Sequence, residues 1–156
     1  MGAGMNHLHV PGMSEAQVQL VLDHLRKPLS TAPILSSWDT LLDYLHGTLG
    51  HSPTEMFHVL YLDRRNRLIH DETIARGTVD HVPVYPREVA KRCLMLDASA
   101  LILSHNHPSG DPAPSDSDIS MTTQVQKAVE AIGITLHDHV IIGHAREYSF
   151  RSNGHL

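Results

Sequence analysis

Residues 98–118 run Ala98-Ser99-Ala100-Leu101-Ile102-Leu103-Ser104-His105-Asn106-His107-Pro108-Ser109-Gly110-Asp111-Pro112-Ala113-Pro114-Ser115-Asp116-Ser117-Asp118. The stretch up to Ser104 is almost wholly apolar and too short for an ordinary helix, which suits a buried central strand. It ends directly at His105, and His107 follows two positions on. In extended chain that spacing points both imidazoles to one side. The prolines and Gly110 then favour a fixed, turning loop. Ser115 opens a long helix to about Ile132, with Asp118 on its first turn and Gly133 after its end. Two imidazoles and one carboxylate make three ligands and leave a fourth position for water, the open arrangement of catalytic zinc. Zinc lowers the pKa of a bound water to about 7.

Blander interpretations of the same residues stay open. Ser115 with an acid three residues on is a near match to a helix capping box, with Asp in place of Glu. An isolated H-x-H at a strand end is more often a surface pair. Asn106 and Ser109 can simply shape the turn. The chain has 14 histidines, so chance pairs are expected and only context distinguishes them. Here the context is a buried strand, a rigid loop and a capped helix in succession.

Working outward, Ser14 to about Arg26 predicts a helix capped by Ser14, with Val18, Leu20, Val21 and Leu25 on its apolar face. A linker with Pro28 and Pro33 follows. A second helix starts at Ser36 or Ser37, carries Trp38, Leu41, Leu42 and Leu45, and stops near Gly47. Phe57, Val59 and Tyr61 alternate with Met56, His58 and Leu60 in a β-rich run. Asp63 to Asn66 form a turn, and Leu68 to Gly77 a second, hairpin-paired strand. Pro86 starts a helix through Val89, Ala90 and Leu94. Ile134 to Ile142 form a strand, with a last short one at Tyr148 to Phe150. Residues 1–12 have the character of a loose leader. The order predicts an α/β fold, a mixed sheet flanked by helices.

The chain's 156 residues fit one compact unit, and 41% hydrophobic with 19% charged residues is a globular balance. A formal net charge of −5 argues against a protein that coats nucleic acid. The single cysteine, Cys93, excludes an internal disulfide framework and a Cys-based zinc finger. It also suits a reducing, cytoplasmic setting. No signal peptide or membrane span is apparent.

The segment HNHPSGDPAPSDSD resembles the JAMM (MPN-domain) metalloprotease signature H-x-H-x7-S-x2-D without gap or substitution. More narrowly, the chain is similar to the RadC family, on that segment and on FHVLYLDRRNRLIHDE, the Gly77-Thr78 pair, VYPREV and DHVIIG. The resemblance implies a three-layer fold like that of the cytidine deaminases, within residues 51–156, preceded by a leader and two helices in residues 1–50. It implies zinc held by His105, His107 and Asp118, with the Ser115 hydroxyl polarising a substrate carbonyl or steadying its oxyanion. It also implies an upstream glutamate as general acid and base. Glu55, directly before the first strand, fits that place; Glu72 is a weaker candidate, and Glu88 belongs to its helix. The implied substrates contain peptide or isopeptide bonds. Longer RadC proteins carry an N-terminal helix-hairpin-helix region, of which residues 1–54 show no hairpin.

The alternative reading is a DNA-repair-associated binding module in which zinc has a structural role. Arg87, Lys91 and Arg92 share a helix face that could meet a phosphate; Arg64, Arg65 and Arg67 form another small basic group. Zinc deamination needs H-x-E and C-x-x-C, which one cysteine cannot supply. A magnesium nuclease would use carboxylate-rich ligands, and two imidazoles point instead to zinc or a neighbouring transition metal. In His137-Asp138-His139, strand alternation sets Asp138 opposite the two histidines. Their expected roles are a strand-end hydrogen bond or support of a metal ligand from an adjacent strand. Cys93, among apolar neighbours, is expected to be buried and inert.

Overall fold

In the computed structural model, which describes residues 11–77 and 83–156, the apolar run is the centre of the molecule. Strand β3, Ala100–Asn106, is buried at every position. It pairs antiparallel with β1 (Met56–Leu62) and parallel with β4 (Thr135–Ile142). The hairpin partner β2 (Leu68–Arg76) and the short β5 (Glu147–Ser149) complete a five-stranded mixed sheet in the order β2-β1-β3-β4-β5. Burial on both faces explains the unbroken apolar character of β3.

Helices cover both faces. Helices α1 (Glu15–Thr31) and α2 (Trp38–Leu49), joined by a 3-10 turn at Ile34–Ser37, pack on one side. There Leu22, Leu29, Leu41 and Leu45 share a core with Leu60, Ile102, Val140 and Ile142. Helices α3 (Pro86–Met95) and α4 (Asp116–Glu130) cover the other, where Val89, Cys93, Val125 and Val129 meet Phe57, Val59, Leu101 and Leu103. The fold is the expected α/β architecture, a mixed sheet between two helical layers. Strand alternation puts Ile102 on the α1/α2 side and Leu101 and Leu103 on the α3/α4 side, so His105 faces α4.

Three local expectations need correction. Helix α1 does not stop near Arg26 but runs through Pro28 to Thr31. Proline removes a backbone donor and crowds the preceding turn, yet that extra turn carries Leu29 fully into the core. The inward face of α1 is Val18, Leu22, Leu25 and Leu29, while Leu20 and Val21 face solvent. Helix α2 does not stop at Gly47 either, and ends at Leu49. A Cβ on Gly47 would lie 2.9 Å from Leu22 Cδ2, so this glycine permits close packing of α1 on α2 rather than ending a helix. The starts of β4 and β5 differ from expectation by a single residue each. Residues 1–10 of the expected leader, and Thr78, lie outside the described residues.

Candidate metal centre

His105 is the last residue but one of β3 and is fully buried. One residue beyond the strand, the His107 amide still donates to the Ile142 carbonyl at 2.9 Å, so the chain stays aligned with β4. The loop then turns at Gly110, whose φ of +90° disfavours any residue with a Cβ. A Cβ there would also strike the His144 ring at 2.4 Å. The loop delivers Ser115 to the N-terminus of α4. The Ser115 hydroxyl accepts from the Asp118 amide at 3.1 Å, and Asp118 Oδ2 accepts from the Ser115 amide at 2.8 Å. The capping box is real, and it fixes Asp118 facing the histidines. Asp118 Oδ1 lies 3.3 Å from His105 Nε2, and Oδ2 lies 3.3 Å from His107 Nε2. Capping and convergence on the imidazoles are one geometry.

Glu55 comes from the opposite side, on the segment entering β1. It is buried, and its Oε1 lies 3.7 Å from His105 Nε2. Asn106 does more than shape a turn: it holds this segment in place. Its Oδ1 accepts from the Met56 amide at 2.8 Å, and its Nδ2 donates to the Thr54 carbonyl at 3.0 Å. The side chain between the two histidines thus anchors the backbone on either side of Glu55. The remaining expected candidates lie elsewhere. Glu72 is engaged by Arg92 at 2.6 Å and by the Tyr61 hydroxyl at 3.1 Å, and the Glu88 side chain is exposed on α3.

Among the described residues, Glu55, His105, His107 and Asp118 form the only group of three or more such side chains suited to one ion, with candidate ligand atoms all within 4.8 Å of one another. His105 Nε2 and His107 Nε2 are 3.0 Å apart. His107 Nδ1 donates to the Asp111 carbonyl at 2.9 Å, which leaves its Nε2 lone pair for the cluster. Two imidazole nitrogens and carboxylate oxygens converging in a mostly buried space fit a divalent transition metal.

The electrostatics are those of a tightly shared site. Burial drives His105 below its ordinary pKa, against the pull of Asp118. The Asp118 carboxylate beside its Nε2 raises that of His107 despite its partial burial. Burial alone would raise the Asp118 carboxyl, but the neighbouring His105 and His107 imidazoles and the Ser115 amide outweigh it and hold it well below the carboxylate range.

Strand β4 does lie beside β3. His139 is fully buried, with its Nε2 2.7 Å from His105 Nδ1. Asp138 points away, accepting from the Ser149 hydroxyl and the Arg151 amide, and His137 meets Asn66 Oδ1 at 2.7 Å. Cys93 is buried, and burial pushes its thiol up to about 11. The shared basic face on α3 is reduced, because Arg92 is committed to Glu72 by two hydrogen bonds. No helix among the described residues is long and apolar enough to cross a membrane.

Comparison with known proteins agrees with this geometry. The family model described as the RadC-like JAB domain matches residues 35–155. A UPF0758 protein of Rhodobacter capsulatus is 58% identical over 94% of this chain and 72% of its own length. A UPF0758 protein of Ruegeria pomeroyi is 68% identical over 79% of this chain, which covers 55% of that relative. The match to the domain model takes in both clusters of the site, Glu55 before β1 and the His105 to Asp118 loop, and on that evidence the chain belongs to the RadC family.

Proposed function

We propose that this chain is a zinc-dependent hydrolase of peptide or isopeptide bonds, with the metal held by His105, His107 and Asp118. The observation that carries the proposal is the buried convergence of those three side chains with a fourth, Glu55, which three ligands do not require. When bound, the metal acts as a Lewis acid and makes water a competent nucleophile near neutral pH.

The chain's own residues supply the rest. Glu55 Oε1 takes a proton from the attacking water and returns it to the departing amine nitrogen. Burial of its carboxylate beside His105 keeps this proton transfer away from bulk solvent. The Ser115 oxygen uses a lone pair to cap α4, so its own proton is available to a substrate carbonyl or to the oxyanion. A peptide or protein is the corresponding partner, and the reducing cytoplasm is the compartment that suits a chain with one buried thiol.

Elemental analysis of the wild type and His107→Ala is the direct test. The expected result is about one zinc per chain in the wild type, as an open three-ligand site requires, and loss of that zinc in the variant. Glu55→Gln should keep the metal and lower turnover of peptide substrates by about 10²- to 10⁴-fold. A wild type that takes up no zinc on reconstitution overturns the proposal.

A further inference from the structure

Behind His105 lies a chain of three hydrogen bonds that ends on another of the cluster's own residues. His105 Nδ1 is 2.7 Å from His139 Nε2. His139 Nδ1 is 2.6 Å from Thr122 Oγ1. Thr122, buried on α4, donates its hydroxyl proton to the Asp118 carbonyl at 2.7 Å. The direction of each bond follows from counting protons. A hydroxyl has a single hydrogen, and the Asp118 carbonyl can only accept it. Towards His139, Thr122 therefore acts as acceptor, and His139 Nδ1 must carry a hydrogen.

His139 lies between two phenyl rings, stacked on Phe150 at 4.6 Å and edge-on to Phe57 at 5.6 Å, with no exposed surface. That surrounding suits a neutral ring. With its hydrogen on Nδ1, a neutral His139 presents a lone pair at Nε2. The atom facing that lone pair, His105 Nδ1, must then be the donor.

We propose that His139 and Thr122 are positioning residues that hold His105 in the tautomer protonated on Nδ1, so that its Nε2 lone pair is aimed at Glu55, His107 and Asp118. Because the relay ends on the Asp118 backbone, it also fixes β3 and α4 against each other at the point where both contribute to the site. The consequence for metal affinity rests on the zinc reading above, whereas the tautomer itself does not.

The test uses the full chain, ¹⁵N-labelled, with long-range ¹H–¹⁵N correlation of the imidazoles before and after addition of zinc. The expected wild-type result is His105 protonated on Nδ1 in both states, with ¹⁵N–¹⁵N coupling across the bond to His139 Nε2. Thr122→Val removes the acceptor that orients His139. It should give a mixed His105 tautomer and about 10-fold weaker zinc binding, and His139→Leu a loss of about 10- to 100-fold. His139→Gln retains a carbonyl able to accept from His105 and should recover most of the affinity. The relay is overturned if wild-type His105 carries its proton on Nε2, or if Thr122→Val changes neither tautomer nor zinc affinity. A wild type that binds no zinc but shows the Nδ1 tautomer upholds the relay and overturns the hydrolase.

Discussion

On the α1/α2 face of the sheet, Asp71 accepts from Arg26 Nε at 2.8 Å, from the Tyr44 hydroxyl at 2.5 Å and from His58 Nε2 at 2.8 Å. His58 Nδ1 is occupied in turn by the Thr73 hydroxyl at 3.1 Å. On the α3/α4 face, His105, His107, Asp118 and Glu55 are gathered as tightly, but the outer nitrogens of both histidines are engaged elsewhere and the inner ones converge. Both clusters combine buried imidazole with carboxylate. In the first, donors surround one acceptor, and the group is complete as protein alone. In the second, lone pairs face one another, and a cation completes the arrangement. Composition does not separate a structural cluster from a binding one; the direction of the hydrogen bonds does.

That contrast breaks most clearly by removing one carboxylate from each cluster. Asp71→Ala leaves Arg26, Tyr44 and His58 without their shared acceptor and should cost about 3 kcal/mol or more, as loss of one member of a buried ionic group does. Its zinc uptake should match the wild type. Asp118→Ala should cost the metal-free protein its share of the α4 capping box, about 1 kcal/mol, together with the favourable contact of its carboxylate with His105 and His107, while abolishing zinc uptake. Urea unfolding with and without zinc measures both. Zinc uptake kept in both variants, or lost in both, would erase the distinction.

Zinc itself sharpens the comparison. At a free concentration 100 times its Kd, a ligand that binds only the folded state adds about 2.7 kcal/mol. Thermal unfolding of the wild type and of Asp71→Asn should show the same increment, and His107→Ala none. An increment lost in Asp71→Asn would mean that the two faces are coupled.

The parts of this architecture legible in the sequence are those carried by local pattern. Apolar Ala100 to Leu103 require a buried strand, and Ser115 with Asp118 requires a capped helix, so the H-x-H pair and its acid fall into place. Leu20 and Val21 are apolar yet face solvent, and nothing local says which face of α1 meets the sheet. Pro28 and Gly47 carry the local signature of a helix end. Burial of Leu29 overrides it at the first, and the close approach of Leu22 accounts for the second. The Asp71 cluster draws Arg26, Tyr44, His58 and Asp71 from four different elements, a grouping without local pattern. The role of His139 depends on β4 lying parallel to β3, a pairing that sequence spacing does not encode.

A smaller effect tests the Asp71 cluster by acid titration. Burial alone would raise the Asp71 carboxyl, but His58, Tyr44 and Arg26 outweigh it and hold it well below its ordinary pKa. A carboxyl depressed in the folded state stabilises the fold above its unfolded pKa, near 3.9, and that contribution is lost as pH falls towards the folded value. In that window the unfolded chain binds the extra proton, so stability declines by at most about 1.4 kcal/mol per pH unit for this group. Metal-free wild type should therefore lose stability more steeply below about pH 4 than Asp71→Asn, since the difference isolates this one group. Parallel urea midpoints for the two proteins from pH 6 to pH 3 would remove Asp71 as an acid-sensitive support.

The smallest effect concerns Ser115, where structure and chemistry share one oxygen. Its Oγ caps α4 by accepting from the Asp118 amide, so a loss of activity on substitution has two possible origins: a displaced Asp118 or a missing hydroxyl at the substrate. Alanine and glycine separate them. Ser115→Ala forfeits the cap at about 1 kcal/mol, whereas glycine is tolerated at N-cap positions for only a few tenths. Both remove the hydroxyl completely. If Ser115 acts on substrate, the two variants should show equal loss of kcat on a peptide substrate despite unequal stability. If it serves only to place Asp118, kcat and zinc affinity should follow stability, with glycine close to the wild type. Ser115→Thr, which retains both cap and hydroxyl, should stay within a few-fold of the wild type in the first case and in the second.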